Sequence, residues 1–296
     1  MESYRPAELA EITPFELAAC KHLGDYRPLL FERYKYIGIL ANSAASIHQD
    51  SLAVGKIPSV QFCVNKGLLN RIARLMLSNV TLSSQGDFGE TTLIIDRCIF
   101  ESAMKICWMT DRDTADRTSR FLADGLKAEL EFLAIVKENV RNRKGVELPL
   151  ESRMIRKIAN TIGASGLSES EVTSAKRLPS LADILREIDH DRLEYVVGMK
   201  LGSHAVHGTW PSLLSHYLEK DESDNWQPRD ANSETDFNQY VNVSLFVLMA
   251  IRSWAIWALP GEEDRAVFLD PCAQVESSIW QLFECAVEQR EASLVR

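Results

Sequence analysis

Four residues spaced four apart in one apolar stretch have the types and spacing that could do chemistry. Tyr195, Met199, Ser203 and His207 would share one face of an α-helix. Gly208 follows directly and permits a sharp exit from that helix, which would leave the His207 imidazole accessible at a helix end. Because an imidazole in such a place can act as a general acid or base, the sequence predicts a functional face around His207.

A charged pair with the same spacing lies in a second apolar stretch. Arg97 and Glu101 are surrounded by apolar residues, and a helix that is apolar on nearly every side is usually buried. A buried charge needs a partner, so one interpretation is a structural ion pair that could extend to Lys105. In the other interpretation, Arg97 holds a phosphate or carboxylate in a pocket and Glu101 orients a histidine.

The remaining candidate residues surround His207. His204 lies three residues before it, but a His-x-x-His pair is a weak metal signal and no His-Glu-x-x-His motif is present. We therefore predict no metal site, leave any cofactor undefined and keep a metal-dependent enzyme as a third hypothesis. Tyr195, Ser203, His204 and Trp210 are the predicted substrate-binding residues.

Composition and patterning favour helices to position these residues. The chain has 296 residues, of which 46% are hydrophobic and few are Gly or Pro, and no run shows convincing strand alternation. We predict an all-α, multi-helix bundle of about ten helices that forms a single helical domain over 1–296, with 1–80 able to form an N-terminal subdomain. The apolar helices at 89–109 and 235–258 should lie near the middle. Asp221–Glu234 is predicted to be a loop.

Short local signals predict where helices begin, end and pack. Thr13–Glu16 and Asp87–Glu90 both match the capping-box pattern. Gly163–Ser170 is small and polar, which is typical of a mobile loop. Gly198 and Gly202 leave room for close helix packing.

Charge, cysteines and hydropathy bear on partners and location. The formal charge of −9 disfavours nucleic-acid binding over the whole surface. Six cysteines without a C-x-x-C pair predict free thiols in a reducing cytoplasm. Val241–Leu259 has membrane length, but its polar residues favour a buried core helix, so no membrane partner is expected. Long amphipathic helices offer a homodimer surface. A cluster of basic residues is either a solvated helical face or a nucleic-acid patch: Arg141, Arg143, Lys144, Arg153, Arg156 and Lys157.

Two segments resemble an uncharacterised bacterial all-helical family that has an arginine–aromatic–glutamate helix and a later Tyr…Ser…His segment. The matching segments are Arg97-Cys-Ile-Phe-Glu101 with Trp108, and Tyr195-x7-Ser203-x3-His207-Gly208. The resemblance implies that the polar residues of both segments form one cluster. The pattern is also loosely similar to abortive-infection proteins and to the HEPN superfamily of helical ribonucleases. Those enzymes place Arg and His close together on one helix. In this sequence Arg186-x3-His190 comes nearest to that arrangement.

These observations support two main hypotheses from different classes. The first is a cytoplasmic bacterial effector of the defence or toxin type that acts on RNA or a nucleotide as a ribonuclease-like hydrolase. His207 would be its acid or base, Arg97 its phosphate clamp and Glu101 its orienting carboxylate. The second is a non-catalytic helical module that binds a partner protein or a small ligand, and whether the protein is an enzyme stays open.

Overall fold

The computed structural model of the chain describes residues 7–229 and 233–294, with side chains described up to residue 289. It confirms the predicted all-α, multi-helix bundle, with one small hairpin in the part that is described. A π-helical turn, Val196–Lys200, joins α9 to α10, and strands β1 (Leu218–Lys220) and β2 (Trp226–Pro228) follow α11. The α-helices are α1 (Pro14–Leu23), α2 (Arg27–Ser46), α3 (Ser59–Ser83), α4 (Gly89–Asp111), α5 (Thr114–Asn142), α6 (Pro149–Ser165), α7 (Glu169–Ser174), α8 (Leu181–Glu187), α9 (Arg192–Tyr195), α10 (Leu201–His207), α11 (Trp210–His216), α12 (Phe237–Ala258) and α13 (Glu262–Leu294).

The chain divides into two compact units. The larger one combines Met1–Asp111 with Leu181–Arg296. In it α4 packs against α3 and α12, and α2 packs against α3 and α12, so helices from the predicted N-terminal subdomain share a core with later ones. This confirms that the two apolar helices α4 and α12 lie near the middle. The largest fully buried side chains of the core include Trp108, Trp254, Tyr34, Phe62, Phe100 and Phe268.

Helix α12 is the most apolar element of the larger unit. It is long and apolar enough to cross a membrane, and most of that apolar stretch is buried inside the protein. A core helix of a soluble protein has the same length and composition, so these properties alone are weak evidence for a membrane span.

The smaller unit, Arg112–Ser180, is built from α5, α6 and α7. Its core consists of Ala123, Leu126, Leu133, Ile158, Ile162 and Val172. The loop predicted at Gly163–Ser170 is wrong in extent, because α6 continues to Ser165 and α7 begins at Glu169. Gly166 ends α6 in the left-handed conformation with φ of 73°, and the Ser168 hydroxyl accepts a hydrogen bond from the backbone N–H of Glu171 at 3.3 Å.

Of the two predicted capping boxes, the structure confirms one. Thr13 Oγ1 accepts from the backbone N–H of Glu16 at 3.2 Å, and the Glu16 carboxylate accepts from the backbone N–H of Thr13 at 2.8 Å. The second box is wrong, since Phe88 has a φ of 69° and turns the chain before α4 begins. The Glu90 carboxylate instead accepts hydrogen bonds from side chains of α11 and the residue after it.

The small hairpin lies where sequence patterning predicted a loop. Strand β1 pairs antiparallel with β2, with Leu218 opposite Pro228. The turn is held by Asp221, whose carboxylate accepts from the backbone N–H groups of Ser223 at 2.9 Å and Asn225 at 2.8 Å. Strands of three residues are too short to show alternation, so the prediction of a loop over Asp221–Glu234 is wrong at β2.

Candidate functional site

A cavity of about 440 Å³ lies within the larger unit, among α4, the π-helical turn, α10, α11 and the start of α12. Its volume is in the range of small-molecule sites, which are mostly apolar with a few converging polar groups. On one wall the rings of Phe100 and Phe246 meet edge to face, with centroids 4.5 Å apart. The other apolar side chains in the lining include Leu93, Val197, Leu201 and Val243.

Two glycines allow the helices around this cavity to approach closely. A Cβ at Gly198, in the π-helical turn, would lie 2.5 Å from the ring of Phe100. A Cβ at Gly202, in α10, would lie 2.8 Å from Cβ of Arg97. Both distances are shorter than real Cβ contacts, so the structure confirms that these glycines serve close helix packing.

Arg97 reaches the cavity from α4 without a carboxylate to neutralise it. Its Nε donates to the Met199 sulfur at 3.3 Å, and it has no ion pair with the described residues. Glu101 pairs instead with Lys105, whose Nζ lies 2.7 Å from Oε1. The predicted Arg97–Glu101 ion pair is therefore wrong, although its extension to Lys105 is real. A half-buried guanidinium without a partner is suited to bind an anionic ligand.

The neighbouring residue Asp96 does not supply the missing negative charge. Its carboxyl group is buried and accepts hydrogen bonds from Asn79 Nδ2 at 2.5 Å and Gln239 Nε2 at 2.8 Å. Burial raises the pKa of Asp96 to about 8, against the lowering effect of these two donors. At neutral pH the group is therefore mostly a neutral carboxylic acid in the wall of the cavity.

Two histidines line the same cavity and share one arrangement. His204 Nδ1 lies 2.7 Å from Thr209 Oγ1, and His216 Nδ1 lies 2.8 Å from Ser233 Oγ. Neither Nε2 has a hydrogen-bond partner among the described residues. When Nδ1 carries the proton and donates it to the hydroxyl, Nε2 presents a lone pair and can take a proton.

Glu90, at the start of α4, fixes the position of α11. Its nearly buried carboxylate accepts hydrogen bonds from Ser212 Oγ and from the Tyr217 hydroxyl. The hydrogen bond to Glu90 is the main reason why the pKa of Tyr217 is raised. The backbone N–H of Gly89 also donates to the carbonyl of Ser233 at 2.7 Å, so the chain before α12 is held across the start of α4.

The structure places only two of the sequence-predicted site residues in the cavity lining, Arg97 and His204. His207 is exposed at the end of α10, where Gly208 turns the chain with φ of 55° as predicted. Ser203 Oγ donates back to the carbonyl of Met199 at 2.7 Å. Those outside the lining are Glu101, Tyr195, Ser203, His207 and Trp210.

Tyr195 and Trp210 mark the two ends of the predicted face. Tyr195 is half-buried in α9, and Trp210 is exposed and meets Trp226 edge to face with ring centroids 5.5 Å apart. The four-residue spacing assumed an uninterrupted α-helix, but the π-helical turn inserts wider i to i+5 bonding between Tyr195 and Ser203. Residues before and after this turn are therefore out of phase with each other.

Sequence reasoning missed Asp96, Gln239 and His216. Each has partners distant in the chain, as in the hydrogen bond from Gln239 to Asp96, so local spacing gives no sign of them. The one available signal was Asp96 itself, an acidic residue inside a helix that is otherwise apolar on nearly every side.

The His, Cys, Asp and Glu side chains also bear on metal ligation and thiol chemistry. Within 7–229 and 233–289 no group of three or more His, Cys, Asp and Glu side chains is arranged to hold a metal ion. All six cysteines are free thiols, as predicted. Burial raises the pKa of Cys107 to about 11 and that of Cys272 to about 12, which keeps both thiols protonated and unreactive.

Comparison with known proteins identifies a family and no activity. Residues 63–225 match a family of unknown function, DUF5677. That segment includes α4, α10 and α11 and therefore most walls of the cavity. A search of curated proteins found no match, and a search of solved structures found none either. The likeness to helical ribonucleases stays a prediction. Because the match covers more than half of the chain, the protein belongs to this family of unknown function.

Proposed function

We propose that the protein is an effector that binds a nucleotide in the cavity on α4 and acts on its phosphate. The observation that carries this proposal is Arg97, a half-buried guanidinium without a carboxylate partner in a cavity that also contains two imidazoles. A guanidinium can bind a phosphate group, and nearby imidazoles can then assist the cleavage of one of its phosphorus–oxygen ester bonds.

The proposal assigns roles to the groups that line the cavity. Arg97 holds the phosphate and stabilises the charge that develops on it. One of His204 and His216 takes a proton from the attacking hydroxyl or water, and the other gives a proton to the leaving oxygen. His204 thereby takes the acid or base role that the sequence pattern assigned to His207, and the hydroxyl groups of Thr209 and Ser233 take the orienting role assigned to Glu101.

Among nucleotides and RNA, the cavity favours a single nucleotide. Its walls include Asp236 beside the start of α12, whose carboxylate would repel a further phosphate of a longer strand, whereas Glu234 in the same wall is paired with Arg27. Its less buried apolar wall, which includes Leu93, Val197 and Leu201, offers a surface against which a base can pack. A cavity of about 440 Å³ is in the range of sites for small ligands.

The neutral Asp96 carboxyl complements this role. Beside a bound phosphate an ionised carboxylate would repel the ligand, whereas a carboxylic acid can donate a hydrogen bond to it. Since the pKa of Asp96 is about 8, we expect nucleotide affinity to fall as pH rises through that value.

The test is a nucleotide panel followed by product analysis. Purified protein is mixed with the four ribonucleoside 5′-monophosphates, the corresponding 2′,3′-cyclic phosphates and inorganic phosphate. A rise in melting temperature reports binding, since a ligand that binds only the folded state stabilises it. Chromatography of each mixture then reports turnover.

Variants separate the cavity from the face around His207. His204→Ala and His216→Ala should each remove turnover and leave the melting temperature of the free protein little changed, whereas His207→Ala should keep both. Failure of every compound to raise the melting temperature contradicts the proposal, and so does loss of turnover only in His207→Ala. The defence or toxin role is tested by induced expression in a bacterial host. We expect the wild type to arrest growth and His204→Ala not to do so.

A binding module without catalysis is the second candidate. It is favoured by the fact that both imidazoles are held by hydroxyl groups, of Thr209 and Ser233, whereas a carboxylate orients the imidazole in the catalytic triad. In this case Arg97 would still bind the nucleotide, and the melting temperature would rise without any product being formed.

A further inference from the structure

Charge is distributed unevenly between the two units of the chain. Arg112–Ser180 contains 13 Lys and Arg residues against 10 Asp and Glu residues, a formal charge of +3. The whole chain has a formal charge of −9, so the rest of it has a formal charge of −12. The smaller unit is therefore a basic element in an acidic protein, which is a sign of a polyanion-binding function for that unit.

The excess positive charge is concentrated on one face of α6. Arg153, Arg156 and Lys157, here named the α6 row, are all exposed and recur at the i, i+3 and i+4 spacing that places side chains next to one another. They line a shallow depression of about 540 Å³ together with Asn160, Thr161 and Ala164. Over these residues the helix rises about 16 Å.

The α6 row is not neutralised within the described residues. None of its three cations has an ion pair there, whereas other basic residues of the same unit are engaged. Arg143 pairs with Glu151, and Lys127 Nζ donates to the carbonyl of Ala175 at 2.8 Å. Arg120 Nη2 donates to the carbonyl of Arg177 at 2.9 Å. The α6 row therefore differs from these structural cations, and its charge is available to an external ligand.

The neighbouring side chains favour nucleic acid over a membrane. The exposed Asn160 amide can donate hydrogen bonds of the kind that proteins make to phosphate and sugar oxygens, whereas the Thr161 hydroxyl donates to the carbonyl of Lys157 at 3.0 Å and can only accept. A helix that inserts into a membrane surface needs a free apolar face, but of the large apolar side chains of α6 Leu150 alone is exposed. Ile158 and Ile162 are buried in the core of the unit against α5 and α7.

We propose that the α6 row binds the phosphate backbone of a single-stranded nucleic acid. None of its residues lines the cavity on α4, and its ligand is an extended strand held by charge without base recognition. Its open shape admits a strand of any length, and two arginines and a lysine with polar neighbours contact successive phosphates.

The test measures binding of a labelled oligouridylate of about 20 nucleotides as a function of salt. The full-length protein is compared with the triple variant Arg153→Gln, Arg156→Gln, Lys157→Gln. We expect the wild type to show a slope of log affinity against log salt of about −2, the value for three phosphate contacts on a single strand. The triple variant should lose affinity by about tenfold or more at low salt, and its slope should be close to zero.

Two controls make the result specific. The triple variant Lys137→Gln, Lys144→Gln, Lys176→Gln removes the same charge from exposed lysines of the same unit outside the α6 row, and it should retain most of the affinity. Arg97→Gln should bind the oligouridylate as well as the wild type does, so failure of the cavity proposal would leave this one standing. Since the α6 row is exposed, melting temperatures should change little in the row variant.

Three outcomes would overturn the proposal. The first is no binding of the oligouridylate by the wild type at about 50 mM salt, where charge attraction is strong. The second is equal loss of affinity in both triple variants, which would indicate only general charge attraction. The third is row-dependent binding to vesicles that contain phosphatidylserine without any binding to the oligonucleotide, which would assign the row to a membrane surface.

Discussion

The cavity on α4 and the α6 row both present positive charge to an anion, but in opposite surroundings. Arg97 is a single half-buried guanidinium between apolar walls, beside a carboxyl group that burial keeps neutral. The α6 row has three exposed cations over a shallow depression. Because the α6 row is exposed to water and salt whereas Arg97 is half-buried, the charge in the cavity is screened less than each of the three charges on the surface.

The two regions also differ in how closely their helices pack. Around the cavity Gly198 and Gly202 bring helices into such close contact that an added Cβ would lie 2.5 Å and 2.8 Å from its nearest neighbour. In the smaller unit the glycines at 125 and 163 have nothing within 4 Å of where a Cβ would lie. A selective site needs helices that pack as closely as those around the cavity. A surface that binds in a salt-dependent way needs only exposed charged side chains.

Replacement of Arg97 should have the largest effect. Arg97→Gln removes a charge-assisted contact of about 1.5–3 kcal/mol, so affinity for the nucleotide that binds best should fall by about 10-fold to 150-fold. Isothermal titration calorimetry measures this change. Arg74→Gln, an exposed arginine on α3, is the matched control and should leave affinity unchanged. Equal effects of the two variants would show that Arg97 is only one part of a general positive field.

Replacement of Gly198 should have the next largest effect. Gly198→Ala forces Phe100 or the helix to move, and overpacking of this kind lowers the free energy of unfolding by about 1–3 kcal/mol. We expect the melting temperature to fall by about 2–10 °C. Gly163→Ala, in α6, should leave it unchanged or raise it, because alanine is the better helix former by about 1 kcal/mol. Similar destabilisation in both variants would contradict the packing difference described here.

The buried carboxyl group of Asp96 should make stability depend on pH. Its pKa is about 8 when folded and near its ordinary value of 3.8 when unfolded, so the unfolded chain loses this proton first. The stabilising contribution is therefore complete below about pH 4 and declines as pH rises to about 8, by up to about 1.4 kcal/mol per pH unit. Asp96→Asn keeps a neutral group and should flatten the melting temperature between pH 6 and 8, in a comparison of both proteins across that interval. An identical decline in the variant would assign the slope to other groups.

Replacement of Glu101 should have the smallest effect. Its ion pair with Lys105 is partly exposed, and such pairs contribute about 0.3–0.5 kcal/mol between residues four apart on a helix. Glu101→Gln should lower the melting temperature by less than about 2 °C and change nucleotide affinity by less than about twofold. A large loss of affinity would restore the orienting role that the sequence pattern predicted for this residue.

Much of the fold could be predicted from the sequence, because it depends on local signals. Helix periodicity indicated α4 and α12 as central, and the Thr13 capping box and the glycine after His207 were read correctly. The site was harder, since it depends on partners that are distant in the chain. The Asp96 carboxyl group meets Gln239 only in the folded protein, and no spacing rule connects those two positions.

The predicted face around His207 shows a second limit. The four-residue spacing is a sound rule for an α-helix, but the π-helical turn lies inside it. A π-helical turn has no sequence signature comparable to a capping box, so the phase change between Tyr195 and Ser203 could not be anticipated. For the α6 row the helical spacing held, since Arg153, Arg156 and Lys157 line one exposed depression. Two other members of the predicted basic cluster are engaged elsewhere, because Arg141 pairs with Glu138 and Arg143 with Glu151.

The close approach of Gly198 to Phe100 has a consequence for the history of the family. A larger residue at 198 and a phenylalanine at 100 cannot coexist without movement of the helix, since the ring occupies the space of the added carbon. Relatives should therefore vary at these two positions together, with a side chain larger than hydrogen at the first accompanied by a smaller one at the second. A member with alanine and phenylalanine at the paired positions would have moved the π-helical turn away from α4, and the volume of the cavity between them would have changed with it.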